Sequence, residues 1–148
     1  HQPLLVRYPG VIDAGAVHES MVNHVDLAPT LLDFAGLQIP DDLQGYSLKP
    51  ILKGKADKVR EASYYHFYEH GRRLPEMVGV RTERYKLIHY PTMDDPYKWE
   101  LFDLEKDPDE LQNEYRNPEF KEVRERMEVA LRKLITDLED PVELPDLM

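Results

Sequence analysis

The chain has 148 residues, 41% of them hydrophobic, and a formal net charge of -10 from 19 Lys+Arg against 29 Asp+Glu. Such a length fits one domain, or one small domain beside a remnant of another. The charge argues against nucleic acid, whose polyanionic backbone demands a basic surface, and against broad adhesion to anionic sugars or lipids. With no Cys, disulfides, thiolate metal sites and a cysteine nucleophile are excluded. No apolar run approaches the ~20 residues that cross a bilayer, so no membrane partner is expected. No basic-then-apolar leader opens the sequence, which reads as mature, internal or trimmed.

Pro3-Leu-Leu-Val-Arg-Tyr-Pro9 is a short apolar run closed by Pro9-Gly10 and reads as a buried strand. A continuous hydrophobic strand needs neighbours on both sides. Finding one at the start of the sequence suggests a piece of a larger sheet. Asp26 to Gly36 reads as a helix: Asp26 caps the first turn, Pro29 is tolerated there, and Gly36 suits the left-handed C-terminal position. The spacing of Leu27, Leu31 and Phe34 gives that helix one apolar face. Residues 37–60, with Pro40, Gly45, Pro50 and Gly54, read as a connecting loop.

The aromatic run Ser63-Tyr-Tyr-His-Phe-Tyr-Glu69 is β-prone. Alternation puts Tyr65, Phe67 and Glu69 on one face and Tyr64, His66 and Tyr68 on the other. Together with strands over 78–82, 85–90 and 99–102, it predicts four strands with short connections, hence an antiparallel sheet. From Glu119 to about Glu139 an amphipathic helix follows Pro118, carrying Phe120, Val123, Met127, Leu131, Leu134 and Leu138 at spacings of three and four. Glu122–Arg126 and Glu128–Arg132 have the orientation that favours helix ion pairs. The simplest role of this helix is to cover one face of the sheet. The fold class is therefore α+β.

Several patterns resemble functional sites. His66 and His70 have metal-like i,i+4 spacing, but on a strand they stand about 13 Å apart, too far for one ion. Asp103, Glu105, Asp107, Asp109 and Glu114 mimic an EF-hand loop, yet Pro108 occupies the position that requires Gly. A solvated acidic turn fits better, with Asp107-Pro108 starting the bend. No Gly-x-Ser-x-Gly, Walker loop, HExxH or GxGxxG is present, so no catalytic and no metal residue is assigned. The segment His70-Gly-Arg-Arg-Leu-Pro75 sets two guanidinium groups and an imidazole between strands of an acidic chain. Arg makes forked, charge-assisted bonds to planar or tetrahedral anions. Arg81, Arg84 and Lys86 read as hairpin-surface residues or partners of nearby acids. His24 and His89 read as ordinary histidines at element ends.

Taken in order, "QPLLVRYPGVI", "VNHVDLAPTLLDFAGLQIPDDLQGYSLKPIL", "SYYHFYEH", "GVRTERYKLI" and "WELFDLEKDPDE" resemble the C-terminal region of an arylsulfatase-like sulfatase of the alkaline-phosphatase superfamily. The resemblance implies three segments. Residues 1–36 end a truncated large α/β catalytic domain with its last strand and helix, 37–60 connect, and 61–148 form the small antiparallel sheet with its helix. It implies a parent enzyme that hydrolyses sulfate esters, plausibly of sulfated sugars, using calcium and a formylglycine made in a C/S-x-P/A-x-R motif. That motif and the calcium ligands belong to a region not matched here, so the segment itself is expected to be inactive and to hold no cofactor. Substrate selection is what carries over: the loop after the aromatic strand faces the active-site mouth in similar sulfatases. His70, Arg72 and Arg73, with His66 behind them, become candidate substrate-binding residues. Relatives often place a His and basic residues before "GVRT", where this chain has Pro75-Glu76-Met77. The partners implied are a sulfated small molecule or glycan and the N-terminal catalytic domain of the same protein, in periplasm, lysosome or outside the cell. Two alternatives stay open: a phosphodiesterase or phosphonate hydrolase of the same superfamily, or a non-catalytic carbohydrate-binding module using Tyr64, Tyr65, Tyr68, Tyr90 and Trp99.

Overall fold

The computed structural model describes residues 3–68, 74–94 and 98–145. It divides into two compact units, His1–Glu61 and Ala62–Met148.

In the first unit a 3-10 turn, His24–Asp26, leads into α1, Leu27–Phe34; a short α2 follows at Lys49–Leu52. Gly36 closes α1 at φ +71°, as its position after the helix suggests. Residues 3–8 do not form the expected strand: they make no ladder, and Leu5 is 93% exposed. An extended segment becomes a strand only when a neighbouring strand takes its N–H and C=O groups; here the Tyr8 carbonyl instead accepts the N–H groups of Val11 and Ile12 in the turn that follows. The apolar face expected of α1 is also different. Leu31 is 70% exposed and Leu27 40%, whereas Pro29 and Thr30 are buried. The inward side is set by hydrogen bonding rather than by leucine spacing. Thr30 Oγ1 donates to the Asp26 carbonyl at 2.6 Å and accepts the Leu48 N–H at 2.8 Å. Leu48 and Ile51, each 2% exposed, give α2 its anchor within the stretch expected to be loop.

The second unit is a four-stranded antiparallel meander in the order β1-β2-β3-β4. Its strands are β1 Ala62–Phe67, β2 Met77–Thr82, β3 Tyr85–His89 and β4 Trp99–Asp103. Register aligns Tyr64, Val80, Leu87 and Leu101 in one cross-strand row, and His66, Val78, His89 and Trp99 in the next row on the same face. This face receives α3, Lys121–Asp137, whose Met127, Leu131 and Ile135 complete the core with Val80, Leu87, Trp99 and Leu101. On the opposite face Tyr65 lies over Gly79, where an added Cβ would sit 2.4 Å from the Tyr65 ring; only a residue without a side chain permits that approach.

The β2–β3 hairpin is closed by Thr82 Oγ1, which accepts the Tyr85 N–H at 3.0 Å. Arg84 in that turn forks onto Asp103, Nε–Oδ1 3.0 Å and Nη2–Oδ2 2.8 Å, and Lys86 pairs with Glu110. The helix ion pair expected between Glu128 and Arg132 is not made. Glu128 is 7% exposed and accepts the Tyr115 hydroxyl at 2.7 Å, while Arg132 donates to the Pro145 carbonyl. A carboxylate on the inner stripe of a helix needs a donor inside the core, and Tyr115 supplies it. No helix among the described residues is long and apolar enough to cross a membrane.

Candidate functional site at the root of the arginine loop

Three of the four expected substrate-binding residues, His70, Arg72 and Arg73, lie outside the described residues. The fourth, His66, stands on β1. Its side chain is 6% exposed and both ring nitrogens meet carboxylates. Nδ1 is 2.8 Å from Asp140 Oδ2, and Nε2 is 2.9 Å from Glu76 Oε1. A carboxylate only accepts, so the imidazolium form, which donates from both nitrogens, satisfies both contacts. Burial pushes the Asp140 carboxyl up, but hydrogen bonds from His66 and the Val142 N–H outweigh it and hold the group below the usual carboxylate range.

The histidine thus joins three stretches of chain: β1 before the loop, Glu76 where the chain returns toward β2, and Asp140 just after α3. Glu76, just before β2, therefore has its partner in His66. On its other side Tyr68 stacks on the imidazole, ring centroids 3.9 Å apart at 25°. The sequence singled out His66 but not its carboxylates. Asp140 lies 74 residues away, and no spacing rule connects the two.

Elsewhere the acidic patterns are occupied by protein partners. Asp103 is 2% exposed and its carboxyl is held low by Arg84. Asp107 accepts the Gln112 N–H at 2.8 Å, and Glu114 accepts the Asn117 side chain at 2.7 Å. No group of three or more His, Asp or Glu among the described residues is arranged to hold a metal ion.

Asp26 corrects its expected role as a helix cap. It makes no side-chain cap bond to α1 and is fully buried. Its carboxylate accepts the N–H groups of Asn23 at 2.7 Å and Tyr46 at 2.9 Å, and both Arg60 terminal nitrogens at 2.5 Å. His89 is not merely an element-end histidine: it is 1% exposed and packs on Trp99 at 4.1 Å. Burial, with the nearby Lys98 charge, pushes its pKa down to about 4.

An antiparallel meander backed by one long helix, with a buried histidine held between two carboxylates, defines the class of module that this unit forms. The chain belongs to the family described as N-sulphoglucosamine sulphohydrolase, C-terminal, which matches residues 1–137. It is 40% identical over 133 residues to the N-acetylglucosamine-6-O-sulfatase of Bacteroides thetaiotaomicron, covering 86% of this chain and 24% of that protein. Among solved structures it is similar to one determined in complex with its substrate D-glucosamine-2-N,6-O-disulfate. That match has TM-score 0.83 and 36% identity, and covers 91% of this chain and 28% of the other. The phosphonate monoester hydrolase SpPMH from Silicibacter pomeroyi is also similar, with TM-score 0.75 and 25% identity over 91% of this chain and 29% of that one. The chain thus spans about a quarter of the length of the relatives it matches.

Proposed function

We propose that this chain is the C-terminal part of a sulfatase that hydrolyses sulfate esters of sulfated sugars, and that it contributes a wall of the substrate pocket rather than the reacting groups. The observation that carries the reading is the joint similarity to an N-acetylglucosamine-6-O-sulfatase and to a structure holding a sulfated glucosamine. In this reading His70, Arg72 and Arg73 face the anionic substrate, and His66, whose ring nitrogens are both committed, fixes the strand that presents them. Arginine suits the task because its planar fork matches the oxygens of a sulfate.

Calcium and formylglycine belong to the remainder of the enzyme. The serines here are Ser20, Ser47 and Ser63, and none begins a C/S-x-P/A-x-R motif. Ser47 is further committed as a donor to Asp33 at 2.6 Å. The residues present do not fit the aldehyde-bearing group, and no chemical step is assigned to this chain. A phosphonate monoester hydrolase is the second reading, supported by the 25% identical structure but weaker than the sulfatase matches at 36% and 40%.

The test measures release of sulfate from N- and 6-O-sulfated glucosamine, and hydrolysis of a phosphonate monoester, by the full-length enzyme and by the 148-residue chain alone. The expected result is sulfate release by the full-length enzyme only, with Arg72→Ala and Arg73→Ala raising KM. Turnover by the isolated chain, or a full-length enzyme active on the phosphonate alone, would overturn the proposal.

A further inference from the structure

Five aromatic side chains of the sheet region have the character of sugar-stacking rings, and the fold separates them by exposure. Trp99 is 7% exposed, stacked on Tyr115 and tilted against His89. Tyr64 packs against the core cluster. Tyr65 lies over Gly79, and Tyr90 donates its hydroxyl to Glu100 at 2.8 Å. Tyr68 is the exposed one of the five, at 57%.

The Tyr68 ring is also held in place. One face rests on the His66 imidazole, and His66 in turn is fixed by Asp140 and Glu76. The imidazole covers one face, and the residue as a whole remains 57% exposed. A ring already set by a buried neighbour loses little rotamer freedom when something stacks on it, so more of the contact energy is retained. Tyrosine combines an apolar face with a polar tip, which suits a ligand that presents C–H groups on one side and hydroxyls at its rim. A pyranose ring has that chemistry.

We propose that Tyr68 is the platform on which the pyranose ring of the substrate stacks, making it a specificity-determining residue for sulfated sugars over sulfate esters without a ring. The inference rests on the sulfatase reading above. Tyr68 supplies the flat contact to the sugar, complementary to any ionic contact with its sulfate.

The experiment compares wild type, Tyr68→Phe, Tyr68→Leu and Tyr68→Ala in the full-length enzyme, using a sulfated glucosamine and a short alkyl sulfate. Thermal unfolding of each variant reports folding. Tyr68→Ala and Tyr68→Leu are expected to raise KM for the sugar by about three- to tenfold, the range of one aromatic stack. Tyr68→Phe should stay near wild type, and the alkyl sulfate KM should not move in any variant. An unchanged sugar KM in Tyr68→Ala, or an equal rise for both substrates, overturns the platform. If Tyr68→Ala unfolds, the Phe-against-Leu contrast decides in its place, because both preserve bulk and only one preserves the ring. Failure of the wild type to release sulfate from any sulfated sugar is a separate result: it removes the sulfatase reading and the platform with it.

Discussion

Asp140 and His66 meet at 2.8 Å although 74 residues separate them, so the segment after the last helix is tied to the strand that begins the sheet. Both side chains are nearly buried, at 8% and 6% exposure. Removing the carboxylate leaves a buried ring nitrogen unpaired, and hydrogen bonds to charged groups contribute about 1.5–3 kcal/mol. Asp140→Ala should lower the urea midpoint by a corresponding amount, with Asp140→Asn closer to wild type. An unchanged midpoint for Asp140→Ala would show that the contact is not formed in solution.

Asp26 and Arg60 form the second buried pair, with side chains 0% and 6% exposed. Breaking one partner of such a pair costs about 3–5 kcal/mol, because the remaining charge stays buried. Asp26→Ala and Arg60→Ala should each destabilise by that order, and the double variant by less than their sum. Additive effects in a double-mutant cycle would count against direct coupling.

The same carboxylate gives an acid limb to stability. Burial raises its pKa, but Arg60 and the N–H groups of Tyr46 and Asn23 outweigh that and hold it below 3.8. A carboxyl lowered on folding stabilises fully above its unfolded value, and the contribution is lost as pH falls through the folded value. Urea melts below about pH 4 should therefore show wild-type stability falling toward that of Asp26→Asn. A constant gap between the two proteins at all pH values would refute the assignment.

His89 acts at milder acidity. It is buried against Trp99 and titrates at about 4 instead of 6.5. The unfolded chain therefore takes up a proton that the folded chain refuses. Stability is complete above about pH 6.5 and declines as pH falls toward about 4, at up to about 1.4 kcal/mol per pH unit. Trp99 is the only Trp, so its fluorescence follows unfolding directly. His89→Leu should flatten this part of the profile; an unaltered slope would place the proton elsewhere.

Gly79→Ala tests the close approach on the opposite face. Its Cβ would fall 2.4 Å from the Tyr65 ring, and overpacking of this kind costs about 1–3 kcal/mol. Replacing Tyr65 by Ala in the same chain should recover part of that loss. A Gly79→Ala protein as stable as wild type would mean that the ring moves aside freely.

Local pattern was enough to specify the second unit. Alternation in the aromatic run assigned Tyr64 and His66 to one face and Tyr65 to the other, as the register shows. Apolar spacing in α3 located Met127 and Leu131, both buried in the core. Period 2 and period 3.6 are properties of the backbone itself, so they can be read without knowing the partners. The ordered segments likewise pointed to the family, because they record a chain order rather than a contact.

What spacing could not supply was the destination of each polar group. Asp26 has the position of a helix cap, yet it binds an arginine 34 residues later. Glu128 has the spacing of a surface ion pair, yet it turns inward to Tyr115. His66 reads in sequence as a sheet-face histidine behind the basic segment, and its partners Asp140 and Glu76 come from other parts of the chain. Tyr68 is indistinguishable in sequence from Tyr64 and Tyr65, and only packing leaves it exposed. Sequence determined the periodic elements and the family, because those depend on neighbours along the chain. Tertiary structure decided which charges are buried, which rings are free and which histidine is already committed, because desolvation and pairing depend on neighbours in space.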